Sequence, residues 1–128
     1  MNLGITTRVD APFGNAVERT RAALKDNGFG VLTEIDMQAT LKAKIGVDME
    51  QYLILGACNP RLAHRAVGVD RQIGLLLPCN VVVRADGDGV IVEAMNPEIM
   101  SAVTEEPDLE PVVVEATRLL KAAIDSIA

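Results

Sequence analysis

Thiol chemistry is available to this chain at two places, each a cysteine followed by asparagine beside an apolar stretch: Gly56-Ala57-Cys58-Asn59-Pro60 and Leu76-Leu77-Pro78-Cys79-Asn80-Val81. Asn59-Pro60 reads as a helix start, because asparagine accepts a hydrogen bond from a free first-turn N–H and proline sits where no N–H is needed. Cys58 then stands one residue before the positive end of a helix, a setting that favours thiolate over thiol and so nucleophilic or redox chemistry. Cys79 follows Pro78, which cannot donate to a ladder and so marks a bulge or an edge position in the strand-like run from Ile73 to Arg84. Cys58, Asn59, Cys79 and Asn80, with the single His64 of the following helix, are the candidate ligand-binding residues, and Cys58 is the candidate catalytic thiol. His64 reaches Cys58 as a base only if the strand–helix corner folds the thiol back. Packing also accounts for both cysteines, since free cysteine behaves as a small hydrophobe. Capping likewise accounts for Asn59, and backbone satisfaction at a bulge for Asn80.

A metal site would draw on Cys58, Cys79, His64 and at most Met95 or Glu34. A closed zinc site needs four ligands at spacings such as Cys-x-x-Cys, none of which is present, so no metal and no cofactor are expected. Gly87-Asp88-Gly89 lacks the helix and lysine of a phosphate loop, and turn chemistry explains it.

The elements that would hold these residues follow from periodicity. Leu3, Ile5, Thr7 and Val9 alternate as a strand, and Asp10 with Pro12 caps a helix whose inner face is Phe13, Val17, Thr20 and Leu24, closed at Gly28. Phe29, Val31, Thr33, Ile35 and Met37 alternate as a second strand, with Glu34 and Asp36 on its solvent side. Met37 to Ile45 fits a short helix or a strand continuation, ending at Gly46. Tyr52 to Leu55 is a third strand running into Cys58, followed by a short helix bearing Leu62, Ala63, Ala66 and Val67. Asp86-Gly87-Asp88-Gly89 is a hairpin turn, with Val90 to Met95 returning. Asn96-Pro97 opens a helix through Val103, and Pro111 opens a final one with Val113, Ala116, Leu120, Ala123 and Ile127 on one face. The order lacks regular strand–helix alternation, which predicts an α+β fold with a largely antiparallel sheet of about five strands backed by helices. At 128 residues the chain fits one domain, residues 1–128.

The Gly56 to Pro60 strand end, the Ile73 to Val83 block and the hairpin leading to Asn96-Pro97 together resemble the bacterial and archaeal family of domain of unknown function 302. The resemblance covers nearly the whole chain. It implies a compact α+β domain with a curved antiparallel sheet, and association as dimers. It implies no activity.

Composition bounds the partners. The net charge is -6, aromatic residues are 2% and tryptophan is absent, so neither the basic track nor the stacking platform of a nucleic-acid binder is expected. The longest charge-free run, Gln72 to Val83, is interrupted by Pro78 and falls short of a membrane span. With no export signal at Met1 to Ile5, a cytoplasmic location and reduced cysteines are expected. Apolar residues occupy both parities in Ile73 to Leu77, Val81 to Val83 and Val90 to Val92, which calls for cover on both sheet faces. A homodimer supplies it, unless the Pro12 helix covers one face and the Pro111 helix the other. The reading reached is a domain that binds a small molecule or a protein partner at the cysteine corners. The alternatives are a thiol-dependent redox or transferase enzyme using Cys58, and a purely structural dimeric module.

Overall fold

A computed structural model describes residues 2–128. Five strands form one antiparallel sheet in the order β1-β5-β4-β3-β2: β1 (Gly4–Val9), β2 (Gly30–Asp36), β3 (Tyr52–Cys58), β4 (Cys79–Asp86) and β5 (Gly89–Met95). Five helices accompany it: α1 (Phe13–Asp26), α2 (Met37–Ile45), α3 (Pro60–Val69), α4 (Glu98–Thr104) and α5 (Glu110–Ile127). The expected α+β architecture is therefore present.

Strand parity builds the core. Leu53, Leu55 and Ala57 on β3 stand opposite Val83, Val81 and Cys79 on β4, and Val92 and Ala94 on β5 continue those rows. On this near face Val17, Ala23 and Leu24 of α1 and Leu120, Ile124 and Ile127 of α5 close an aliphatic cluster. A second cluster joins α3 to α4 and the first half of α5 through Leu62, Ala66, Ile73, Met100, Leu109, Val113 and Ala116. The residues expected on the inner face of α5 are all buried. Because α1 and α5 pack together on the near face, they do not share the two faces between them.

Three local expectations are corrected, and one open choice is decided. First, α1 begins after Pro12 rather than on an Asp10 cap; Asp10 is exposed and no side chain caps this end. Second, Arg71–Leu76 is a 3-10 helix started by Asp70, whose carboxylate accepts from Gln72 N at 2.9 Å; it turns Ile73 into the second cluster instead of extending a strand. Pro78, after a cis peptide, thus precedes the central strand β4 and marks neither a bulge nor an edge. Third, the register shifts between Val31 and Thr33, leaving Leu32 as the extra residue and reversing the faces beyond it. Thr33 and Ile35 then stand opposite Gly56 and Ile54, whereas Glu34 and Asp36 stand opposite Leu55 and Leu53, on the near side of the edge strand. Both carboxylates are still exposed. Glu34 accepts from Arg21 of α1 at 2.8 Å. The open choice falls to the helix: Met37–Ile45 is helical rather than a strand continuation, because Asp36 caps it through Ala39 N at 2.9 Å, and Gly46 ends it at φ 69 as expected.

Candidate functional site

Cys58 is the last residue of β3, and the chain turns there into α3. Asn59 caps that helix as expected, its Oδ1 accepting from Leu62 N at 3.2 Å, with Pro60 at the first helical position. Asn59 also closes on the turn between α1 and β2, where a Cβ at Gly28 would stand 3.0 Å from its Nδ2. Gly28 has φ +86, a conformation that side chains with a Cβ resist.

Cys79 opens β4 on the near face, opposite Ala57, and is buried, whereas Cys58 keeps partial exposure. Both cysteines and Asn59 line one cavity beneath α3 and α5, together with Phe29, Leu77 and Met100. The volume of this cavity is about 30 Å³, room for about one water, and its walls are mostly apolar. Small-molecule pockets are roughly ten times larger. Burial, and after it the charge of the nearby Cys58 sulfur, push the Cys79 thiol up from 9.0 to about 11. Its thiolate, the form that attacks electrophiles and binds metals, is thereby disfavoured.

The other two candidate residues lie elsewhere. His64 is exposed on α3 and is not part of the cavity wall. Asn80, one residue after the buried Cys79, points to the far face of the sheet, the side away from α1 and α5, where it stands opposite Gly56. There it borders a depression of about 280 Å³ with Tyr52, Val82, Glu93, Met95 and Leu3. Among the described residues no three of His, Cys, Asp and Glu gather as a metal would need. Met95 lies at the end of β5 against the second core cluster, and Glu34 lies on the edge strand paired with Arg21.

The far face carries what the site reading missed. Across three strands Val82, Ile54 and Ile35 stand side by side. Tyr52 and Arg84 form the adjoining row with Ile91. Ile35 is 46% exposed and the others are half-buried, and none of the apolar ones belongs to either core cluster. The charges on this face are matched: Glu93 accepts from Arg84 Nε at 3.0 Å and from Thr6 Oγ1 at 3.1 Å, and Arg8 pairs with Asp86 at 2.8 Å. The signal for this row was in the sequence as apolar residues on both strand parities, but its extension to Ile35 depended on the unforeseen bulge. No helix among the described residues is long and apolar enough to cross a membrane.

Three comparisons with known proteins bear on this arrangement. The family model described as domain of unknown function DUF302 matches residues 5–127. The crystal structure of an uncharacterized conserved DUF302 protein from Bacillus stearothermophilus is similar over 100% of both chains, with 26% sequence identity and a TM-score of 0.92. No curated protein matches the chain.

Proposed function

The chain belongs to the DUF302 family, a domain of unknown function, and on that footing we propose that it is a binding domain that pairs with a second copy of itself through the far face of its sheet. The observation that carries this reading is the row Val82–Ile54–Ile35, apolar side chains aligned across β4, β3 and β2 and outside both core clusters. Apolar area left in water is favourable to remove, at about 25 cal/mol per Å². A second copy is an occupant compatible in charge. The chain as a whole carries -6, but the charged groups of this face are paired within it, so two copies meet there without the repulsion that their remaining surfaces exert. A two-fold arrangement lets the same row serve both partners.

Binding of a small molecule between the cysteines gains less support, because the space there holds about one water. The thiol-enzyme alternative also gains less, because His64, the available imidazole, is outside the cavity wall. Sedimentation at micromolar protein tests the proposal. The expected species has twice the 13.7 kDa chain mass and dissociates on dilution, and both Val82→Asp and Ile35→Asp return it to monomer. Ile35 is exposed on the edge strand, so its substitution leaves the fold intact. A monomer at every concentration overturns the reading.

A further inference from the structure

A depression in the helical layer, between α3 and α5, adjoins the cysteine cavity, with which it shares Asn59 and Leu62, and has no lining residue in common with the far-face depression. Its volume is about 430 Å³, within the range of small-molecule pockets. Arg61 and Arg65 of α3 line one side and Glu115 of α5 the other, over a floor of Leu62, Pro111 and Leu119. The two arginines are spaced i, i+4 on one helix and so share a face. Like Arg19 and Arg71, neither lies within ion-pairing distance of a carboxylate among the described residues, whereas Arg8, Arg21, Arg84 and Arg118 each have a partner. Arg61 and Arg65 differ from the other two in lining one groove together. Glu115 does not neutralise them. Its carboxylate is taken by Arg118, with Nε donating to Oε2 at 3.2 Å, and that hydrogen bond leads the causes that hold its pKa below the usual carboxylate value; the Arg65 charge adds to them. The groove therefore holds two guanidiniums, Arg61 and Arg65, beside a carboxylate already paired with Arg118, which leaves a local positive excess of the kind that attracts small anions on a chain that is acidic overall.

We propose that this groove binds a small organic oxyanion, a phosphate monoester or a carboxylate on an apolar body, with Arg61 and Arg65 holding the head and Leu62, Pro111 and Leu119 meeting the body. Planar guanidiniums suit both heads, because each presents two parallel donors to paired oxygens. Separation from the proposed pairing face makes the two readings independent. Val82→Asp protein, monomeric or not, retains the groove.

Calorimetric titration with phenyl phosphate and with benzoate provides the test, using wild type, Arg61→Gln, Arg65→Gln and the double variant. At least one probe is expected to bind with Kd of about 1 mM or tighter. Affinity falls about tenfold with each arginine removed, the scale of a charge-assisted hydrogen bond, and weakens with added salt. Stronger binding of phenyl phosphate identifies a phosphate ligand, and stronger binding of benzoate a carboxylate. Both arginines are exposed, so unchanged melting temperatures are expected and certify the variants. The proposal is overturned if neither probe binds saturably below about 10 mM, or if the double variant binds as wild type does.

Discussion

The two Cys-Asn corners are written alike and built in opposite ways. Cys58-Asn59 ends strand β3 and starts helix α3, so the cysteine stays partly exposed and the asparagine is consumed by capping. Cys79-Asn80 starts strand β4, so consecutive side chains go to opposite faces: the thiol enters the core and the amide leaves it. A dipeptide does not define a site; the element it belongs to does. The first corner is finished within one chain. The second leads, through Asn80 and Val82, to the far face, where we propose that a second copy docks.

The largest expected effect tests that difference. Val82→Asp places a carboxylate at the proposed contact, where an unpaired charge removed from water costs ~3–5 kcal/mol. That predicts a rise in the dimer dissociation constant of about two orders of magnitude or more, measured by sedimentation equilibrium. Ile35→Asp tests the same contact from the exposed edge. Pro60→Ala at the first corner is the control, expected to leave the oligomeric state unchanged.

Next in size is the thiol of the second corner. Because the Cys79 pKa is raised in the folded chain, the neutral thiol is the form the fold favours. The stability this contributes is fully present below the ordinary value of 9.0 and is lost as pH rises through about 11. The associated loss is roughly 2–3 kcal/mol. Urea unfolding midpoints measured across that window should fall for wild type and fall less for Cys79→Ala, compared with each protein's own value at neutral pH. The same burial predicts that iodoacetamide labels Cys58 in the folded state and Cys79 only on unfolding. No bridge is expected between them. Ala57 and not Cys58 stands opposite Cys79, so two free thiols per chain should be counted in unreduced protein. Equal labelling of the two cysteines in folded protein would erase the distinction between the corners.

How much of this was legible depends on whether the signal was local. Asn59-Pro60, the Gly28 stop and the Asp86 to Gly89 turn carry their backbone instructions in adjacent residues, and the α5 face repeats often enough to read. The pairing of Cys58 and Cys79 around one cavity needed the β3–β4 register, which no local pattern specifies. The β2 bulge was invisible because Leu32 continues an apolar run whichever face it takes. Ile73 to Leu77 read as strand because apolar runs do not distinguish a strand from a buried 3-10 turn; the Asp70 bond to Gln72 N decided it. That misreading also assigned Pro78 to the wrong role.

A smaller effect is expected where the corners touch. Gly56 faces Asn80 across the ladder, and a Cβ there would collide with Thr33 and stand 2.8 Å from Pro78 Cγ. Thr33 is an exposed side chain able to turn away, but the proline ring is not. Gly56→Ala should therefore cost ~1–3 kcal/mol in urea unfolding, as overpacking does. Adding Thr33→Ala should recover only part of it, because the Pro78 contact persists.

The smallest effect separates the two asparagines. Asn59→Ala removes the acceptor for Leu62 N at 3.2 Å and leaves a first-turn donor without its cap, which costs about 1 kcal/mol. Asn80 is exposed, with no side-chain hydrogen bond among the described residues, so Asn80→Ala should change the unfolding free energy of the monomer by less than about 0.5 kcal/mol. The contrast is best measured in the Val82→Asp background, where association does not contribute to either value. In the dimer the order can reverse. Asn80 borders the far-face depression with Val82 and Glu93, and if that rim is covered by a second copy, its truncation weakens association while the Asn59 variant associates normally. A monomer in which Asn80→Ala costs as much as Asn59→Ala would mean that the second corner, too, is finished within one chain, and the far face would lose its claim to be the incomplete side.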